Sequence, residues 1–182
     1  MRIKKIQEKL QIPTGLDVSI EQSILKMKGS KGTVERDFSH PSITLTKENN
    51  AVVLTAEKVG KREKAMVYTI VAHIKNMFKG VQEGHTYRLK ICSGHFPMTL
   101  QISGNSVTVK NFYGEKVPRV YLYDKDVKVK QEGDFLIVEG ISKEKTGQTA
   151  ASIEQLLRIT NRDRRIFQDG IYIIDKDGKE II

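Results

Sequence analysis

Residues 16–21 alternate apolar and polar, with Leu16, Val18 and Ile20 on one side and Asp17, Ser19 and Glu21 on the other. That period of two predicts a half-buried strand. Ile24, Leu25 and Met27 begin a second strand that reaches the turn Gly29-Ser30-Lys31-Gly32, and residues 34–38 lead back. Two glycines supply the positive φ values such a turn needs. Ile43 and Leu45 alternate with Thr44 and Thr46, and Asn49-Asn50 predicts a hairpin turn into Ala51-Val52-Val53-Leu54. Over residues 61–79, Met66, Val67, Ile70, Val71, Ile74, Met77 and Phe78 trace the i, i+4 stripe of an amphipathic helix, with Gly80 as its expected stop.

The second half repeats this order. Leu25, Met27 and Gly32 map at one constant offset to Val107, Val109 and Gly114. After a small insertion, Ile43, Leu45, Val52 and Val53 map to Val127, Val129, Leu136 and Ile137, which places Asn49-Asn50 on Gly133-Asp134. Strands around residues 87–91 and 98–102, joined by Ser93-Gly94-His95, open this half. A helix over about residues 145–159 closes it, with Ala150, Ile153, Leu156 and Leu157 on one face. Strands first and helix last, without βαβ alternation, predict the α+β class. The expectation is a tandem repeat of two similar domains, residues 1–82 and 83–182, each an antiparallel sheet with one helix packed across it.

Composition adds a partner class. The 182 residues are 38% hydrophobic and 29% charged, ordinary for a chain that folds, but the net charge is +9 and the pI about 9.5. A polyanionic partner follows, nucleic acid ahead of an acidic membrane surface. The basic residues are spread over both halves, so both can face the polyanion. The start, MRIKKIQEKLQIPTG, has no apolar signal core, and no run of about 18 apolar residues occurs, so the expectation is a soluble intracellular protein without a membrane partner. A single cysteine, Cys92, permits no internal disulfide.

The densest candidate chemistry lies in residues 147–174. There the helix leaves into Asn161, Arg162, Asp163, Arg164 and Arg165, followed by Phe167, Gln168, Asp169 and Gly170 before the apolar Ile171, Tyr172, Ile173 and Ile174. Guanidinium forks bind phosphate oxygens in pairs and stack on bases, whereas the competing reading is a solvated loop. Gly29-Ser30-Lys31-Gly32-Thr33 lacks the P-loop spacing, so it reads as a β-turn or as a turn that offers Lys28 and Lys31 to a phosphate backbone. In its counterpart, residues 110–116, Lys110 and Lys116 are the cations, and Phe112 and Tyr113 are either base-stacking rings or core. Cys92 and His95, with His85 nearby, fall short of the four ligands of a closed zinc site. His73 reads as a partly buried side chain with a hydrogen-bond partner. No carboxylate stands with a His, Ser or Cys in a catalytic pattern, so no cofactor, metal, small-molecule substrate or catalysis is expected.

Two signatures resemble the ribosomal protein L6 family of the large subunit, in its archaeal and eukaryotic branch, and the resemblance covers essentially the whole chain. The first is Ile12-Pro13, Gly15-Leu16-Asp17-Val18-Ser19-Ile20 and Lys28-Gly29-Ser30-Lys31-Gly32, with Phe38 after it. The second is Gly147-Gln148-Thr149-Ala150-Ala151 followed by Arg164, Phe167, Gln168, Asp169, Gly170, Ile171 and Tyr172. Ser30 departs from the family's usual proline. The resemblance implies a non-catalytic cytoplasmic protein of the large ribosomal subunit. It would bind rRNA mainly through the second domain, near the stalk base and the sarcin-ricin loop, beside other ribosomal proteins and the translation factors. It assigns RNA contact to Lys143, Lys145, Gln148, Arg158, Asn161, Arg162, Arg164, Arg165 and the Gln168-Asp169-Gly170 turn. The competing expectation is a general RNA-binding or protein-interaction module outside the ribosome.

Overall fold

A computed structural model describes residues 3–181, and the chain divides into two compact units, Met1–Gly84 and His85–Ile182. The first unit contains β1 (Ile3–Gln11), β2 (Asp17–Glu21), β3 (Ile24–Gly29), β4 (Gly32–Asp37), β5 (Ile43–Glu48), β6 (Ala51–Val59) and α1 (Lys61–Gln82). The second contains β7 (His85–Cys92), β8 (Thr99–Ser103), β9 (Ser106–Lys110), β10 (Arg119–Leu122), β11 (Val127–Glu132), β12 (Phe135–Gly140), α2 (Lys143–Leu156), β13 (Gly170–Lys176) and β14 (Lys179–Glu180).

The class is α+β, with the expected tandem repeat, but each unit splits its antiparallel strands into two sheets. In the first unit the orders are β1-β6-β5 and β2-β3-β4, and in the second β11-β12-β7-β13-β14 and β10-β9-β8. The repeat is therefore carried strand for strand, with β7 in the place of β1 and with β13 and β14 as additions. Consecutive β7 and β8 do not pair with each other. Strand β7 lies between β12 and β13, while β8 pairs with β9. β1, in a stretch not assigned to a strand from its pattern, runs antiparallel to β6 from Ile3↔Val59 to Gln11↔Ala51. β6 is central and nearly all buried, which is why Ala51-Val52-Val53-Leu54 is a continuous apolar run.

Helix α1 buries Val67, Ile70, Val71, Ile74, Met77, Phe78 and Val81 in its own unit, but Met66 is 41% exposed, at the rim of the stripe. Gly80 does not end the helix. It is buried within the last turn, and the chain breaks away at Gly84, where φ is +86 and a side chain is disfavoured. The Gly29–Gly32 turn rests on that helix end: the Lys31 N–H donates to the Val81 carbonyl at 3.1 Å and Ser30 Oγ to that of Gln82 at 3.0 Å. Two of the helix's last carbonyls thus find donors outside the helix. A Cβ on Gly29 would lie 2.6 Å from the Val81 carbonyl oxygen, so this position admits only glycine. Serine at position 30 thus ties the turn to the helix end through its side chain.

In the second unit, Tyr87, Leu89, Val107, Val109, Leu136, Val138, Ala150, Ile153 and Leu157 form the core with Phe112 and Ile171. Helix α2 starts two residues before its expected position because Ser142 caps it, its hydroxyl accepting from the Lys145 N–H at 3.5 Å. Gly147 lets the helix lie on the Tyr87 ring: a Cβ there would meet the hydroxyl at 3.0 Å.

Two expectations follow. Gly29→Ala should lower stability by about 1–3 kcal/mol in urea unfolding, because the turn must lift off the helix end. A fragment of residues 85–182 should unfold cooperatively on its own, since its core is drawn from its own elements; a chain without a thermal transition or dispersed amide signals would show that the units need each other.

Candidate nucleic-acid interface

The loop between α2 and β13 is built from its own backbone outward. Helix α2 ends at Leu156 with Leu157 as its cap, Asn161 takes a left-handed φ of +61, and Asp163 then organises a turn. Its carbonyl accepts the N–H groups of Ile166 (3.1 Å) and Phe167 (2.9 Å), and its carboxylate accepts from the Arg165 backbone at 3.0 Å and guanidinium at 2.6 Å. Hydrogen bonding to Arg165 holds the Asp163 carboxyl below its usual range and raises Arg165 in turn. The one acid among the arginines therefore shapes the loop, and Gln168 Nε2 bonds the Arg165 carbonyl at 3.1 Å.

The loop closes on Asp169, which is 1% exposed. One carboxylate oxygen accepts from the Gly94 N–H, and the His95 N–H reaches both oxygens at 3.2 Å. His95 Nδ1 lies 3.6 Å from Oδ1. Burial opposes ionisation of this carboxyl, but the N–H donors of Gly94 and His95 and the imidazole outweigh it and leave the pKa below the ordinary value. The Asp169 N–H donates to the Tyr113 hydroxyl at 3.3 Å, and Tyr172 Oη to the Asp169 carbonyl at 3.4 Å. Burial pushes the Tyr113 phenol up.

These bonds assemble a ring cluster. Phe167 stacks on His95, centroids 5.2 Å apart at 21°, with Tyr113 at 5.9 Å, and the Arg162 guanidinium lies 4.9 Å above Phe167. Face-on contact between guanidinium and ring is attractive, and it orients Arg162 without occupying its donors. Tyr113 rests edge-on to Phe112, 4.8 Å away, and Phe112 is buried. Arg119 covers Phe112 at 4.5 Å, bonds the Leu156 carbonyl at the end of α2 at 2.7 Å, and grips Glu115 at 2.6 and 2.8 Å. Beside the loop, Arg164 and Tyr172 border two cavities. One, of about 240 Å³, is lined also by Glu154, Gln155, Leu157, Arg158, Ile159 and Ile171; the other, of about 480 Å³, by Cys92, Arg165 and Gln168.

The nominated residues thus separate. Arg158, Asn161, Arg162, Arg164, Arg165 and Gln168 are exposed on one loop and its flanks, with Tyr113 in the ring cluster beneath it. Asp169 and Gly170 are buried, and the Asp169 oxygens face backbone N–H groups, so Asp169 holds the loop in position. Lys145 is engaged by Asp126 at 2.6 Å and Asp124 at 3.3 Å, which raise its pKa, and with Gln148 it lines a separate open groove on α2. Lys143 lies 3.8 Å from Asp177. Lys110 and Lys116 are exposed on either side of the Phe112–Gly114 turn. Lys28 and Lys31 are exposed in the first unit. His95, Phe167 and Arg119 were absent from the nominated set. The aromatic residues after a basic run were the one signal that pointed to Phe167; nothing local pointed to the other two.

Fold and site define a class: a tandem α+β protein that presents a braced cationic and aromatic loop. Among the described residues, no three His, Cys, Asp or Glu side chains are grouped to hold a metal, and no helix is long and apolar enough to cross a membrane. The chain belongs to the ribosomal protein L6 family, whose model matches residues 12–84 and 96–170. A large ribosomal subunit protein uL6 of Sulfurisphaera tokodaii is 47% identical over 178 residues, 97% of this chain and 96% of the relative. Those of Methanosarcina mazei (45% over 174 residues, 96% and 99%) and Staphylothermus marinus (44% over 184, 99% and 100%) are similar at full length. The family is structural, not enzymatic.

The Asp169 clamp has a testable pH signature. Asp169→Asn should destabilise the second unit by about 1–3 kcal/mol at neutral pH, the range for a bond to a charged group. Because the folded pKa lies below the unfolded value of about 3.9, the stabilisation is complete above that value and is lost as pH falls through the folded one. Urea midpoints of wild type and variant should therefore differ at pH 7 and converge in acid; a constant gap would contradict the clamp.

Proposed function

We propose that the chain is a structural constituent of the large ribosomal subunit and binds large-subunit rRNA through its second unit. The observation that carries this reading is the arginine loop: Arg162 is aimed by the Phe167 and Tyr113 rings, and Arg164 stands exposed beside it, on a backbone anchored by a buried carboxylate. A loop that only served solubility would have no use for such bracing. Prepositioned guanidiniums give up little side-chain freedom when they meet phosphates and hold a folded RNA by its shape. The names of the full-length relatives support the ribosomal setting. Contact is assigned to Arg158, Asn161, Arg162, Arg164, Arg165 and Gln168, with Lys143, Lys145, Gln148, Lys110, Lys116 and the Tyr113 ring at the margins, and Lys28 and Lys31 as the first unit's share. The finer placement, near the stalk base and the sarcin-ricin loop with translation factors close by, rests on the two signatures that resemble the family.

Binding to rRNA fragments tests both levels. Arg162→Ala, Arg164→Ala and Arg165→Ala together should weaken binding and flatten its salt dependence, each lost phosphate contact removing about 0.7–0.9 from the slope of log K against log salt. Lys5, Lys9 and Lys125→Ala removes equal charge from exposed positions outside the site and is the control. Equal losses would reduce the effect to net charge, and unchanged binding by the arginine variant would end the assignment. A fragment with the stalk base and sarcin-ricin loop should bind in preference to one from elsewhere in the subunit; the reverse order would refute the placement.

A further inference from the structure

The internal repeat supplies a control for each surface, because equivalent positions of the two units can be compared on one register. In the first unit the outward positions of β2, β3 and β4 align as Asp17↔Lys28↔Thr33, Ser19↔Lys26↔Glu35 and Glu21↔Ile24↔Asp37. Six of these nine side chains are charged. In the second unit the same lattice reads Thr99↔Lys110, Gln101↔Thr108↔Val120 and Ser103↔Ser106↔Leu122. Only Lys110, at one end, carries charge. Where the first unit has Glu35 and Asp37, the second has Val120 and Leu122, which are 54% and 74% exposed. Of the described large apolar side chains that are more than half exposed, Val117, Val120 and Leu122 lie on β10 or just before it, and Ile166 lies in the arginine loop. Strand β10 is moreover the outer strand of its sheet. Edge strands are ordinarily protected by charge, as the corresponding β4 is by Glu35 and Asp37.

We propose that the outer face of β8–β9–β10, with the β10 edge, docks another protein of the large subunit through an uncharged, partly apolar surface. The inference rests on the ribosomal reading above. The chemistry of the face selects the partner class. RNA binding draws its strength from cations opposite phosphates, and this face offers one lysine, at the end that leads into Asn111 and the ring cluster. A neutral surface with exposed Val and Leu gains instead from burying apolar area against a neutral protein surface, which removes no charge from water. A second copy of the chain, paired through the same edge strand, is the outcome that the crosslink below separates from a neighbouring protein.

A photoreactive amino acid at position 122, in chains assembled into large subunits, reads the partner directly. The expected product is a covalent bond to another large-subunit protein, while the same group at position 35 of the first unit gives at least tenfold less. Bonds chiefly to rRNA, to a second copy of the chain, or at equal yield from both positions would overturn the proposal. V120E and L122D together, which install the charges of the first unit at sites where exposure tolerates them, should lower incorporation in competition with wild type at least tenfold and leave rRNA-fragment binding at fixed salt within twofold. Equal incorporation would also overturn it. A wild-type chain that never enters large subunits would overturn the ribosomal reading and this inference with it, whereas incorporation with rRNA bonds at position 122 would remove the inference alone.

Discussion

A single buried carboxylate fixes the geometry on which the functional end depends. Asp169 closes the loop that starts at the end of α2, and it does so by accepting the N–H groups of Gly94 and His95 after β7. An ionised group at 1% exposure is tolerated only when donors surround it, and here they are the Gly94 and His95 backbone with the His95 imidazole beside them. The bond therefore works in two directions. It satisfies the acid, and it pins together two segments 75 residues apart, whose His95 and Phe167 rings meet Tyr113 from a third. Arg162 inherits its orientation from those rings.

The duplication shows how the same backbone came to carry different surfaces. Both units keep a central buried strand, β6 or β12, flanked by partners in the same antiparallel order, and a helix that closes the unit. Beyond that they diverge by addition and by substitution. The second unit adds β13 on the free side of β7, and this strand is what the arginine loop leads into. In the equivalent turns before β4 and β10, the first unit rests Gly29 and Ser30 on its helix end, whereas the second uses its turn to bury Phe112 and set Tyr113 beside Phe167. Left-handed φ values at Asn111 and Tyr113 make that turn possible. Core positions were retained because packing constrains them, and exposed positions were free to take up new chemistry.

The sequence revealed the repeat, the α+β class and most strands, because alternation in a half-buried sheet is a local signal. β1 was not recognised, since its Lys and Gln residues lie among few apolar ones, and its strand state follows from pairing with β6. Glycine disfavours helix interiors, which makes Gly80 read as a helix stop, yet it lies buried inside the last turn of α1. Among the candidate site residues, the exposed arginines were legible from their spacing. Asp169 was not, because Asp-Gly normally marks a solvated turn and its partners lie 75 residues upstream. His95 and Arg119 were hidden for the same reason: their roles come from contacts made only after two sheets and a helix have assembled.

The distribution of charge within the fold gives the arginine loop its distinction. A net charge of +9 describes the chain, but many cations are already answered: Lys145 by Asp124 and Asp126, Arg119 by Glu115, Lys130 by Glu139, Lys26 by Glu21. A polyanion must compete with those carboxylates for such side chains. No carboxylate partner stands within ion-pairing distance of Arg158, Arg162 or Arg164 among the described residues, and Arg165 meets Asp163 at a fully open surface where exchange for a phosphate is easy. Two of these four side chains are further confined, Arg162 by its rings and Arg165 by its turn. Unanswered charge on a confined scaffold is the condition under which an arginine distinguishes one folded polyanion from another, because the phosphates must come to it. The lysines elsewhere, on long flexible stems, follow whatever anion approaches and so contribute attraction without register.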